Sequence, residues 1–480
     1  MIGITSYGSY LPRYRMERSV ILQQMGWFNP GSPKGDKAVV NCDEDSITMA
    51  YAAANNCLIG KNSDDIDGVY LASLSFPFSV RQNSVVVAKA LNLRDNIRSS
   101  DYTSSLQCGT NALLSAIETV AANNDSQIVT CATDARRAKP GSPQEYTWGD
   151  GAAAFCIGNK GVVASFIGEY SLGCDFIDKK MIDTEEFERS WEDRWTRDEG
   201  YMKIIPKAIK GLLDKLGTDI PSFAKVCIAC PNTSALKAVG KLLRFTPNQE
   251  VDNLITAVGD TGSAMSYLML ISVLENANAG DKIMLVSFGY GAQALAFEVT
   301  PEIDKVKSSL RGVSYMLNRK APLKDYTRYL AYKNLIQFEM GIRGETIPPS
   351  SMSLIWKQSK AMAALEGVRC KVCGTPQFPK HTVCVNPECN ATGQMEPYLF
   401  SDKIGKIVSF TADSLAFSWD PPQLYGLVDF AEGGRIFLDI TDCAKESIKV
   451  GTQVEMTFRR KYIDNTRGHY CYFWKAMPVL

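Results

Sequence analysis

The sequence predicts an α/β protein that continues into a small cysteine-bearing module and a β-rich barrel. Strand-like and helix-like patterns alternate from residue 1 to about 300, four cysteines bunch within residues 370–389, and short apolar strands separated by turn signals fill residues 400–478. At 480 residues the chain exceeds what one core ordinarily organises.

Gly68–Ser73 (GVYLAS), Gln127–Ala132 (QIVTCA), Gly151–Ile157 (GAAAFCI), Val226–Ala229 (VCIA) and Lys282–Ser287 (KIMLVS) are apolar runs of buried-strand type. The valine-rich stretch 84–91, the stretch 109–123 and the stretch 261–277 read as helices packed on that sheet, so a buried, mostly parallel sheet is expected. Asp43, Glu44 and Asp45 precede an apolar helix over 46–58 and read as capping and dipole charge. From 301 to 352 prolines (Pro301, Pro322, Pro348, Pro349) sit among charges and tyrosines, which reads as a linker. Residues 353–365 form a short amphipathic helix with Leu354, Trp356 and Met362 available to pack. Strands are expected at 406–410, 424–430, 435–440 and 453–458, with a Glu432-Gly433-Gly434 turn.

Lys+Arg and Asp+Glu balance at 52 each, so no global field recruits nucleic acid or an anionic membrane. Residues 353–480 carry 15 Lys+Arg against 13 Asp+Glu, and the run Arg459-Arg460-Lys461 reads as solvated charge rather than a nucleic-acid patch. No apolar run approaches the roughly 18 residues of a membrane span, no secretory signal opens the chain, and most of the 14 cysteines are scattered singly. A reducing cytoplasm is the expected location. Only two histidines occur, His381 and His469, so residues 1–380 must do their chemistry without imidazole.

Cys370, Cys373, Cys384 and Cys389 follow a C-x2-C-x10-C-x4-C spacing that places four thiolates around one structural zinc per chain. Free thiols or an iron–sulfur cluster are the alternatives, and His381 is a spare ligand beside a site that four cysteines already fill.

Ile4–Arg13 (ITSYGSYLPR), Cys42–Ser46 (CDEDS), Gly149–Ala154 (GDGAAA), Gly259–Gly262 (GDTG) and Ser287–Gly291 (SFGYG) resemble the thiolase superfamily, nearest its 3-hydroxy-3-methylglutaryl-CoA synthase and ketoacyl synthase III branch. The cysteine module and barrel resemble the zinc-ribbon/OB-fold subunits that accompany thiolases and acyl-CoA hydratases. The resemblance implies a thiolase-like fold of two α/β/α/β/α halves (1–165 and 166–300), a linker (301–352), a helix and rubredoxin-like zinc ribbon (353–399) and an OB-fold barrel (400–480). It also implies a coenzyme A thioester as substrate, a homodimer through the thiolase-like part, and a possible partner thiolase or hydratase.

The departures from that family bear on the chemistry. Counted back from Gly109, the position of the nucleophilic cysteine holds Leu106, and Cys108 lies at the helix start instead. The family's histidine falls nearest Ala229, its asparagine at Asp260, and no Asp or Glu lies between Gly68 and Arg94, where its glutamate belongs. Tyr290, Asp260 and Cys108 remain as candidate catalytic residues, with Tyr290 as an acid–base phenol, Asp260 as a base or a helix N-cap, and Cys108 as a nucleophile or a buried small hydrophobe. The leading expectation is an acyl-CoA enzyme acting on a C–C bond by Claisen- or aldol-type chemistry in an atypical site. A Cys108-dependent hydroxymethylglutaryl-CoA synthase-like acyltransferase and an inactive acyl-CoA-binding scaffold are the alternatives.

Overall fold

The computed structural model describes residues 1–31, 34–339, 341 and 349–479. They divide into two units, the first made of Met1–Asn41, Asp45–Val87 and Leu93–Leu335, the second of Cys42–Glu44, Ala88–Asn92 and Ile336–Leu480.

The first unit contains, in chain order, β1 (Gly3–Tyr10), β2 (Tyr14–Glu17), β3 (Asp36–Val39), β4 (Gly68–Ala72), β5 (Arg98–Tyr102), β6 (Ile128–Asp134), β7 (Gly151–Gly158), β8 (Ala164–Gly173), β9 (Lys179–Lys180), β10 (Arg189–Ser190), β11 (Lys225–Ala229), β12 (Lys282–Phe288), β13 (Gly291–Val299) and β14 (Ala321–Pro322). Nine of these strands form one sheet in the order β11-β12-β13-β8-β1-β7-β6-β4-β5. The expectation of a mostly parallel sheet is corrected. Only β4–β5, β4–β6 and β11–β12 run parallel, and the remaining pairs are antiparallel. Gly289 and Tyr290 alone separate β12 from β13, too short a connection for a parallel crossover. The N-terminal strand β1 is also inserted antiparallel between β7 and β8.

Helix α1 (Ser46–Cys57) starts at a capping box in which the Asp45 side chain accepts from the Thr48 N–H and the Thr48 hydroxyl accepts from the Asp45 N–H. In α2 (Cys108–Ala122) the residues Cys108, Ala112, Ala116 and Val120 recur every fourth position and are buried with Leu113 and Ile117. Helix α3 (Ala264–Leu274), shorter than expected, is apolar almost all round and accordingly buried. Its Tyr267 donates to the Gly109 carbonyl at 2.9 Å, tying α3 to the first turn of α2.

The linker expected over 301–352 is not one in its first two thirds, because Leu93–Leu335 belongs to the first unit. There β14 pairs in parallel with β2. Helix α4 (Tyr326–Tyr332) buries Tyr329 completely against Met16, Ile21, Val39, Tyr146 and Leu323. Prolines and tyrosines that look like linker punctuation are here packing residues; Pro348 lies outside the described residues. The amphipathic helix expected at 353–365 is broken at Gln358 into α5 (Met352–Lys357) and α6 (Ser359–Ala364). Leu354 and Trp356 are exposed, and Ala361 and Ala364 make the packed face instead.

In the second unit β15 (Glu366–Cys370), β16 (Pro376–Gln377) and β17 (Met395–Leu399) form a three-stranded antiparallel ribbon. Strands β18 (Gly405–Asp413), β19 (Gln423–Phe430), β20 (Arg435–Asp439), β21 (Gln453–Asp464) and β22 (His469–Pro478) form a sheet in the order β20-β19-β18-β21-β22. An isolated bridge between Ile440 and Ala476 links its two edges. The strict inside–outside alternation of β19 is what a curled sheet over a small core requires. Phe400, fully buried, stacks edgewise on Tyr398 and on Phe430 at 5.0 Å each.

Asp43 and Glu44 are not helix-capping charge, and that reading holds for Asp45 alone. In the second unit they face Arg459, which is 1% exposed. Its guanidinium reaches Glu44 at 2.5 Å, Asp442 at 2.6 Å and Asp43 at 3.4 Å, while Lys475 holds Asp43 at 3.0 Å. Burial opposes ionisation of Asp43, but Lys475 and Arg459 overcome it and hold the carboxyl down at about 2.

Candidate active site

The start of α2 is pinned by the turn that follows β12. Ser104 takes a left-handed φ of 74°, and Ser105 then donates through its hydroxyl to the Gly289 carbonyl at 2.9 Å. A side chain on Gly289 would press on the Ser105 hydroxyl at 2.7 Å and on the Leu106 and Gln107 nitrogens at 3.1 Å, so only glycine lets the two backbones approach this closely. Within the first turn of α2, Thr110 shares a 2.7 Å hydrogen bond with Ser287. Leu106 is half-buried in this loop, whereas Cys108 is buried as the first residue of α2. Burial, reinforced by the Asp134 charge, pushes the Cys108 thiol well above its ordinary range, which leaves it protonated.

Asp134, at the end of β6, is fully buried and gathers three loops. One carboxylate oxygen accepts from the hydroxyls of Ser73 and Ser75 and the N–H of Leu74. The other accepts from the N–H and hydroxyl of Ser263, at the start of α3. Gly262, with φ +65°, lies where any Cβ would collide with this carboxylate. The loop that lacks the family's acid is thus built around an acid from another strand.

Asp260 accepts from the Gly262 N–H at 2.9 Å through one oxygen and pairs with Arg136 at 3.0 Å through the other. It is not the N-cap of α3, a position that Ser263 occupies. Burial raises the Asp260 carboxyl, yet Arg136 and Lys179 outweigh it and hold the group below the usual carboxylate range. Arg136 also donates to the Asp260 carbonyl at 2.8 Å and lies over the Trp148 ring at 4.2 Å.

Tyr290, with φ +54°, follows Gly289 and donates its hydroxyl to the Lys179 carbonyl at 2.5 Å. Burial and the charges of Asp178, Asp175 and Glu188 push the phenol up, so it stays protonated and acts as a donor. Cys230, which feels the charges of Asp260 and Lys179, is buried and pushed up to about 12 by burial. Tyr201 is raised by burial and by Cys230, Asp178 and Asp260. Tyr290 and Asp260 therefore share one charged neighbourhood with Arg136 and the β9–β10 hairpin, and Cys108 lies behind Asp134. The sequence reading missed Asp134, Arg136, Asp178 and Glu188. The first two follow the end of a buried strand, which is where α/β sheets place ligands. The hairpin acids carry no such signal.

In the second unit the four cysteine sulfurs lie within 4.8 Å of one another. Cys370 and Cys389 are 3.8 Å apart, and Cys373 and Cys384 are 3.5 Å apart. Tetrahedral bonds of about 2.3 Å to one zinc imply sulfur–sulfur edges of about 3.8 Å, so the donor set fits the ion.

Over 346 residues, 70% of its length, the chain is 32% identical to the hydroxymethylglutaryl-CoA synthase of Methanocaldococcus jannaschii, of which the match covers 100%. The chain belongs to the hydroxymethylglutaryl-CoA synthase family. The synthase of Methanopyrus kandleri is 31% identical, with the match covering 70% of this chain and 98% of that one. The family comprises acyl-CoA-dependent condensing enzymes of the thiolase superfamily. A crystal structure of a hydroxymethylglutaryl-CoA synthase complexed with CoA superposes with a TM-score of 0.63 at 19% identity, over 73% of this chain and 95% of that one. The 3-oxoacyl-[acyl-carrier-protein] synthase III of Aquifex aeolicus superposes with a TM-score of 0.56 at 15% identity, over 62% of this chain and 100% of that one. The thiolase-like fold expected from the sequence is therefore the fold of a hydroxymethylglutaryl-CoA synthase. Residues 400–459 match the model of the ChsH2 C-terminal OB-fold domain, which identifies the barrel as an OB fold. Among the described residues, no helix is long and apolar enough to cross a membrane.

Proposed function

We propose that this family member makes or breaks a C–C bond of a coenzyme A thioester in an atypical site, without forming an acyl-cysteine intermediate. The observation that carries this reading is the state of the thiol nearest the α2 start. Cys108 is buried and held protonated, and the more accessible position before it is Leu106. No imidazole occurs in residues 1–380 to activate a thiol. Tyr290 serves as the proton donor, kept protonated by burial and by the acids around it, and Asp260 holds Arg136 in place. Cys370, Cys373, Cys384 and Cys389 hold one structural zinc, whose role is to fold the ribbon. A reducing cytoplasm, a homodimer through the first unit, and a possible thiolase or hydratase partner belong to the same reading.

The test is to incubate the full chain with acetyl-CoA, acetoacetyl-CoA and hydroxymethylglutaryl-CoA, then follow free CoA, C–C products and intact protein mass. Turnover with no acyl adduct, retained in Cys108→Ala, is the expected result. An adduct on Cys108, or a loss of about a thousandfold in that variant, favours the second reading, a Cys108-dependent synthase. The sequence identity to the archaeal synthases is what recommends that alternative.

A further inference from the structure

The hairpin between β8 and α-helical residues 202–216 is hung on the turn that bears Tyr290. The Cys174 N–H donates to the Tyr290 carbonyl at 3.0 Å, the Tyr290 hydroxyl donates to the Lys179 carbonyl at 2.5 Å, and the Trp191 N–H closes on the Asp178 carbonyl at 2.8 Å. These bonds bring Asp178 into the charged neighbourhood of Tyr290, Tyr201 and Asp260. Asp178 is 3% exposed, and its Oδ2 has no hydrogen-bond partner among the described residues. Arg136 is 5% exposed, and its Nε and Nη1 likewise have none. Buried polar atoms are almost always paired, and each unpaired one costs about 1–3 kcal/mol. Glu188, whose charge acts on both Arg136 and Asp178, likewise has an Oε1 without a hydrogen-bond partner among the described residues, so open acceptors and open donors lie in one group of charges, as they do where a ligand completes a site.

We propose that Asp178 is the carboxylate that removes and returns the α-proton of the acyl thioester, an assignment that rests on the acyl-CoA reading above. Oδ2 takes the proton from the α-carbon, and the C–H electron pair becomes the new bond to the carbonyl carbon. The carbonyl π pair moves onto the thioester oxygen, which takes up the negative charge, and the cation whose charge acts on Asp178 is Lys179. The reverse step returns the proton to the α-carbon and regenerates the carboxylate, so no co-reactant is consumed. Burial raises the Asp178 carboxyl towards the range in which a carboxylate exchanges protons readily.

Deuterium exchange isolates this step. The full chain is held in heavy water with acetyl-, butyryl-, hexanoyl- or octanoyl-CoA, and label at the α-carbon is followed by mass spectrometry. Asp178→Asn is expected to slow the exchange by about a hundredfold or more, with ester binding and melting temperature close to wild type. Asp178→Glu, which keeps a carboxylate, is expected to recover at least part of the exchange. Asp183→Asn, in an exposed position on the same hairpin, is expected to exchange normally. Undiminished exchange in Asp178→Asn overturns this assignment alone. If Asp178→Asn is poorly folded, the folded Asp178→Glu decides the matter, because exchange below a tenth of wild type in that variant also overturns it. Absence of exchange in the wild-type chain with all four esters overturns the acyl-CoA reading, and this assignment with it.

Discussion

Tyr290 and Lys37 both lie among charged groups, and their surroundings give them opposite protonation behaviour. Burial and the neighbouring acids keep the Tyr290 proton on. Tyr290→Phe removes only the hydroxyl, so turnover should fall by about a hundredfold while the affinity for the CoA ester changes little. Steady-state kcat and KM separate the two effects, and undiminished kcat would return Tyr290 to a packing role. Lys37 is 1% exposed, donates to the Glu145 carbonyl at 2.6 Å and sits 3.3 Å from the Tyr329 hydroxyl. Burial and the Lys333 charge bring it down to about 7. Its folded value thus lies below its unfolded value of about 10.4. Between the two the unfolded chain binds the extra proton, so stability rises with pH across that window, and below about 7 the penalty is complete. Lys37→Met should flatten this rise, as urea melts at neutral and alkaline pH would show; an unchanged slope would assign the effect elsewhere.

The residues that the sequence disclosed are those whose meaning is local. Cys370, Cys373, Cys384 and Cys389 lie within one short stretch, and their spacing alone implied a metal site. Asp178 lies in a charged hairpin that reads as solvated surface, and Arg136 is followed by Arg137, which also reads as surface. Their placement depends on residues from distant parts of the chain, Asp260 for Arg136 and Tyr290 for the hairpin that bears Asp178.

At the scale of elements, polar residues along β1, β5, β8 and β13 hide those strands of the large sheet, and β4, β6, β7, β11 and β12 were legible because each is a continuous apolar run. Their direction was not, since pairing is decided by what lies between strands. The barrel's last strand, β22, has no clear signature in the sequence, because Tyr472, Phe473 and Trp474 stand in succession and break the alternation that marks a half-buried strand. The ribbon, by contrast, has few apolar residues to hold it, so its order should depend on the metal. Elemental analysis should give about one zinc per chain. Cys373→Ser should abolish that zinc and expose the ribbon backbone to hydrogen exchange, and full zinc occupancy in this variant would contradict the four-cysteine site.

At the scale of the molecule, the two units do not divide the sequence at a single point, because Cys42–Glu44 is packed with the barrel residues that close around Arg459. Three carboxylates and two cations are buried there together. Arg459→Met should destabilise the chain by about 3–5 kcal/mol, because it leaves buried carboxylates without their cation. Calorimetric melting measures this, and a shift of the melting temperature near zero would show that water already reaches the cluster. Asp43, held at about 2, adds a contribution present above its unfolded value near 3.9 and lost as pH falls through the folded one.

The same cluster constrains how the protein can be made. Asp43 and Arg459 are separated by 416 positions. At about 5–20 residues per second, a ribosome needs roughly 20–80 seconds to travel from one to the other. Throughout that interval the nascent chain carries two acids whose cation has not been translated, while the helix that Asp45 caps is free to form at once. The charge cluster therefore cannot close until Arg459 has been made. A nascent chain halted before Arg459 should present Cys42–Glu44 to a protease, and a chain that contains the folded barrel should close that window.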